Sequence, residues 1–131
     1  MIGLDTNVVL RLLTRDDSKQ FNAAKKYLER RAVGEPALIN RLVIAEVVWT
    51  LESGYHYTRA QIADALEGLL KTAEITLENS SAVRSALKAY RSGAGFSDAL
   101  ICATNSDAGC ESTLTFDRDA VKKLPGFRTL V

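Results

Sequence analysis

The sequence predicts an α/β fold: a mostly parallel sheet of four to five strands with helices on both faces. Three observations predict it. Short apolar runs, each compatible with a buried strand, alternate with longer amphipathic runs at helical spacing, which is the pattern of βα units around a parallel sheet. The chain has 131 residues and no linker, repeat or low-complexity stretch, so one domain spanning residues 1–131 is expected. Hydrophobic residues make up 47% and charged residues 25%, which suits a folded core rather than a disordered chain.

Taken in order, Ile2-Gly3-Leu4 reads as a short buried strand ending at Asp5, and Thr6-Asn7 open a helix through Leu13. Asp16-Asp17-Ser18 breaks it, with Ser18 as candidate N-cap of the next helix. There Phe21, Ala24, Lys25, Leu28 and Ala32 fall at helical spacing, with charges on the other face up to Gly34. Pro36 to Asn40 is a second strand. Ile75-Thr76-Leu77 is a third and Thr113 to Phe116 a fourth, ending at Asp117.

Thr58-Arg59-Ala60-Gln61 is a capping box that opens a helix with Ile62, Leu66, Leu69 and Leu70 inward. Asn79 or Ser80 caps a helix carrying Val83, Leu87 and Tyr90, which ends at Gly93-Ala94-Gly95. Ser97 to Ala103 opens another helix, stopped near Gly109. A short helix from Arg118 to Leu124 precedes the Pro125-Gly126 break, and Phe127 to Val131 reads as a last edge strand.

Leu42 to Leu51 poses the chemical question. Eight of its ten residues are apolar, the exceptions being Glu46 and Thr50. β-branched residues leave helix and strand open by periodicity, while the length and Gly54 as a stop favour helix. An all-round apolar segment is expected inside, carrying Glu46 with it. A buried unpaired carboxylate costs several kcal/mol, so a proton, a partner or a metal ion is required.

Other carboxylates stand where α/β folds place their sites, at the C-terminal ends of strands. Asp5 and Asp117 each follow a strand, Asp98 opens an apolar helix, and Asp119 lies two residues past Asp117. Plain structural roles compete: Asp5 and Asp117 as N-caps, Asp98 and Asp119 as acids complementing a helix dipole. Four carboxylates in one pocket repel one another, and a divalent cation removes that penalty. Oxygen ligands suit Mg²⁺ or Mn²⁺, and metal-assisted phosphodiester hydrolysis is the matching chemistry.

Composition narrows the alternatives. His56 is the lone histidine, which speaks against a zinc centre and leaves a Ser-His or Cys-His nucleophile only that residue. Cys102 and Cys110 are expected to be free thiols. The start at Met1-Ile2-Gly3 shows no basic leader and no apolar run reaches membrane-spanning length, so a cytoplasmic protein with no membrane association is expected. Net charge is +1; with four acids gathered in one pocket, 17 basic residues would face 12 other acids, leaving +5. Arg11, Arg15, Arg41 and Arg118, near the acidic segments, are candidates for phosphate contacts or ordinary surface arginines.

On Leu4-Asp5-Thr6-Asn7, Glu46, Phe96-Ser97-Asp98-Ala99 and Leu114-Thr115-Phe116-Asp117, taken in that order and spacing, the whole chain resembles PIN-domain proteins of the VapC toxin type. The resemblance implies a PIN-like three-layer sandwich. It implies an acidic quartet of Asp5, Glu46, Asp98 and Asp117 holding Mg²⁺ or Mn²⁺, supported by Thr6, Asn7 and Thr115, with Asp119 competing for the fourth place. It also implies endonucleolytic cleavage of RNA such as tRNA or rRNA, a homodimer, and a cognate antitoxin. The helix from Thr58 to Leu70 and the face around Val47, Trp49 and Leu51 are either an antitoxin groove or core. A catalytically silent RNA- or protein-binding module and a DNA-directed nuclease are the alternatives. A receiver or haloacid-dehalogenase-like phosphatase fits poorly, because the first strand ends Asp5-Thr6-Asn7 rather than in an acidic pair or Asp-x-Asp.

Overall fold

The computed structural model describes residues 1–31 and 34–131. Its elements, in chain order, are β1 (Ile2–Gly3), α1 (Thr6–Thr14), α2 (Ser18–Glu29), β2 (Ala37–Ile39), α3 (Arg41–Ser53), α4 (Arg59–Lys71) and β3 (Ile75–Leu77). They continue with α5 (Ser80–Arg91), α6 (Phe96–Asp107), β4 (Thr113–Thr115), α7 (Arg118–Lys123) and β5 (Phe127–Thr129). The α/β alternation is as the sequence predicts, and Ala32 lies outside the described residues. The chain forms two compact units, Met1–Asn79 and Ser80–Val131.

In the first unit three strands form a parallel sheet in the order β1-β2-β3, with Gly3 opposite Leu38 and Leu38 opposite Thr76. β2 is central and buries Ala37 and Ile39 completely. β1 is an edge strand and its Ile2 is 42% exposed, so the first strand is not buried as expected. The core around the sheet comes from Val9 and Leu10 of α1, Ile44, Val47, Val48 and Leu51 of α3, and Ile62, Ala63, Leu66 and Leu69 of α4.

Short polar side chains start the helices of this unit. Asp5, Asp17 and Asn40 each accept a hydrogen bond from the backbone N–H three residues on. Asp17, not Ser18, is thus the cap of α2. The Thr58–Gln61 capping box is fully formed. α2 ends at Glu29, short of Gly34, and Gly34 adopts φ 92°, a left-handed conformation that a helix cannot continue through.

In the second unit β4 and β5 pair in parallel, with Leu114 opposite Arg128, and α7 packs on both. α5 and α6 pack closely, and Val83, Leu87 and Tyr90 of α5 and Phe96 and Leu100 of α6 are all buried. The rings of Tyr90 and Phe96 meet edge to face, centroids 5.8 Å apart. The five strands are therefore hydrogen-bonded as a set of three and a pair, each parallel throughout.

Candidate functional site

Asp5 stands at the C-terminal end of β1, where the chain turns into α1. Its backbone is extended, and Oδ1 accepts from Val8 N–H at 3.1 Å, so one carboxylate oxygen caps the helix. The next residue, Thr6, points its hydroxyl at α3: Oγ1 donates to Glu46 Oε2 at 2.8 Å. Asp5, Thr6, Asn7 and Glu46 line one cavity of about 570 Å³, together with Asn40 and Thr50 and the aliphatic Leu10, Leu42 and Val43. Two of the four expected acids thus share one cavity, where every side-chain heteroatom of the lining residues is oxygen or an amide nitrogen.

Glu46 is not buried, which corrects the expectation from its apolar segment. α3 turns Ile44, Val47, Val48 and Leu51 inward, and this stripe saturates the core. Leu42, Glu46 and Trp49, at spacings of four and three, form the opposite stripe and face solvent, Leu42 at 76% and Trp49 at 67% exposure. No burial penalty falls on the carboxylate. Val47 and Leu51 are core, while Trp49 is surface, so these three do not make a common face.

Asp98 and Asp117 belong to the second unit. Asp98 is a half-buried acid in the first turn of α6, whose N-cap is Gly95 with no side-chain cap. A Cβ built on Gly95 would meet Asp98 Oδ2 at 3.4 Å, so the carboxylate folds back over the helix start. Asp117 is the N-cap of α7: its Oδ1 accepts from Asp119 N–H at 2.9 Å and Ala120 N–H at 3.2 Å. Thr115 Oγ1 in turn accepts from Asp117 N–H at 3.0 Å, which fixes the backbone that carries the cap. Asp119 pairs with Lys123 Nζ at 3.1 Å along α7 and is otherwise exposed. Within neither unit do three or more His, Cys, Asp or Glu side chains gather into a metal-ligating cluster among the described residues.

The candidate arginines are mostly engaged. Arg11 bonds Gln20 through Nε at 2.7 Å and lies 3.5 Å from Asp16; Arg15 stacks on Phe21; Arg41 pairs with Glu78 at 3.2 Å. Asp16 also receives the hydroxyls of Thr14 and Tyr55, both at 2.8 Å. Those two bonds and the Arg11 charge hold its pKa below the usual carboxylate range. Glu78 is likewise lowered, by the Arg41 N–H first and then its guanidinium.

The PIN domain family matches residues 2–126, nearly the whole chain and both units. This chain belongs to the PIN domain family. It is similar to a VapC ribonuclease of Aquifex aeolicus (strain VF5), with 31% identity over 128 residues, covering 97% of this chain and 93% of that protein. No helix of this PIN protein, among the described residues, is long and apolar enough to cross a membrane. Cys102 and Cys110 are free thiols, as expected.

The charged face expected on the second helix is predominantly basic. α2 carries Lys19, Lys25 and Lys26 and is followed by Arg30 and Arg31, against the single acid Glu29.

Proposed function

We propose that this PIN protein is a Mg²⁺- or Mn²⁺-dependent endoribonuclease, the toxin of a type II toxin–antitoxin pair. The observation that carries the reading is that Asp5 and Glu46 line one cavity, with Glu46 braced by the Thr6–Glu46 hydrogen bond. The similarity to a VapC ribonuclease over 97% of the chain supports it. In this reading the protein works in the cytoplasm as a homodimer, cuts tRNA or rRNA, and is held inactive by a cognate antitoxin.

The donors of the cavity fit a hard divalent cation, since its polar lining side chains, Asp5, Thr6, Asn7, Asn40, Glu46 and Thr50, offer carboxylate, hydroxyl and amide oxygens and neither thiol nor imidazole. Asp5 and Asp98 are the proposed principal ligands, with Glu46 and Asp117 completing the shell. Such an ion supplies Lewis acidity toward a phosphoryl oxygen and toward water. Thr6 fixes the Glu46 carboxylate so that it can orient the attacking water. The caps made by Asp5 and Asp117 restrain each carboxylate in one rotamer, which limits the entropy lost on engaging substrate. Thr115 and Asn7 support these two segments.

The test is cleavage of total cellular RNA by the purified, antitoxin-free protein in Mg²⁺, Mn²⁺ or EDTA, beside Asp98→Asn. Discrete cuts that require metal and vanish in the variant establish the reading and map the substrate. Equal behaviour of folded wild type and variant overturns it. A catalytically silent binding module then takes its place.

A further inference from the structure

We propose that Asn40 binds substrate: its side-chain amide N–H donates to a non-bridging oxygen of the RNA phosphate held beside Asp5 and Glu46. This rests on the RNA-cleaving reading and names a residue that reading leaves without a task. In the first sheet Gly3 lies opposite Leu38 and Leu38 opposite Thr76. Bonds from Leu4 N–H to Leu38 O at 2.8 Å and from Glu78 N–H to Ile39 O at 2.9 Å carry that register to the strand ends. Asp5, Asn40 and Glu78 therefore form one row at the C-terminal rim, with neighbours roughly 5 Å apart by strand spacing. Asn40 is the middle member, is exposed, and lines the same cavity as Asp5 and Glu46.

Two observations point from that amide to a phosphate. The first is a donor left over. Asn40 Oδ1 accepts from Val43 N–H at 2.9 Å, so the cap of α3 uses the oxygen and fixes the amide plane. Among the described residues nothing accepts from Nδ2, and Glu78, the neighbour in the row, is turned to the backbone N–H and Nε of Arg41 at 3.0 and 3.2 Å. The second is the charge of the cavity. Two carboxylates line it, and among its described lining residues none is Lys or Arg. The outer oxygens of a phosphate there meet no side-chain cation, and the side-chain N–H groups in reach are those of Asn7 and Asn40. No hydrogen bond among the described residues restrains the Asn7 amide, whereas the Asn40 amide is already held, so less rotamer freedom is lost on binding. A phosphate oxygen only accepts, which matches a group that only donates.

Asn40→Ser and Asn40→Asp both keep a helix cap and remove the amide N–H, the serine without adding charge, so their urea midpoints should stay near wild type. The probe is randomised single-stranded RNA of about ten nucleotides, end-labelled and bound to the full chain in Ca²⁺. Both variants should lose about 10- to 100-fold in affinity, the worth of one hydrogen bond to a charged group. Equal affinity of wild type and both variants overturns the assignment, as does an absence of RNA binding by wild type. A loss of affinity that comes only with a lowered urea midpoint overturns it too, since the cap alone then accounts for the effect. Cleavage of total RNA in Mg²⁺ is scored separately. RNA bound through Asn40 yet never cut supports the donor and defeats the nuclease reading. Metal-dependent cutting that both variants retain in full does the reverse.

Discussion

Thr6 and Glu46, forty residues apart, are joined by a 2.8 Å hydrogen bond from the threonine hydroxyl to the glutamate Oε2. The bond ties the first turn of α1 to the middle of α3, and it does so on the exposed side of α3. Removing it should therefore cost activity more than stability. Thr6→Val is expected to lower RNA cleavage about tenfold and to change unfolding free energy by ~0.5–1.5 kcal/mol, the worth of one ordinary hydrogen bond. Thr6→Ser should behave as wild type. Cleavage rates and urea unfolding of both variants check it.

Asp5 and Asp117 each combine a cap with a proposed ligand role, and the two are separable. Asparagine caps as well as aspartate, so Asp5→Asn and Asp117→Asn should fold with near wild-type stability and yet lose cleavage. The alanine variants should lose cleavage and also ~1 kcal/mol of stability. Full activity in Asp5→Asn would leave Asp5 a structural cap.

Asp16 gives the fold a pH dependence of known sign. Its pKa is lowered in the folded state by Thr14, then Tyr55, then Arg11. A carboxylate of depressed pKa stabilises the fold above its unfolded value, and the contribution disappears as pH falls through the lowered folded value. Below about pH 4 wild type should lose urea resistance more steeply than Asp16→Asn. Parallel curves for the two proteins would show that the Thr14–Asp16–Tyr55 network contributes no net stability.

Gly126 lies against the thiol of Cys102: a Cβ at this position would overlap Sγ. Gly126→Ala should destabilise the second unit by ~1–3 kcal/mol, as overpacking does. Combining it with Cys102→Ala should recover part of the loss, which a double-mutant cycle reads directly. Additive losses would place the strain elsewhere in the Pro125–Gly126 turn.

Trp49 is the only tryptophan and is 67% exposed, so it reports on the outer face of α3. Its emission in the isolated chain should be that of a water-exposed indole and open to acrylamide quenching. Shielding that grows with protein concentration would place a second copy of the chain on the Leu42–Trp49 stripe.

The sequence by itself determined the element order, because capping and period are local physics. Thr58-Arg59-Ala60-Gln61 opened a helix as expected, since both halves of a capping box lie within one turn. The position of Asp5, Asp98 and Asp117 at element starts was legible for the same reason. Burial was not. The apolar content of Leu42 to Leu51 implied a buried Glu46, yet only one stripe of a helix can meet a core, and Ile44, Val47, Val48 and Leu51 fill it. Which apolar residues remain outside depends on what packs opposite, and that involves residues dozens of positions away. The Thr6–Glu46 bond and the Arg11–Gln20 pair likewise arise from crossings of helices that no local pattern records. Tertiary structure alone decided which side of α3 the acid faces and which side chains it meets there.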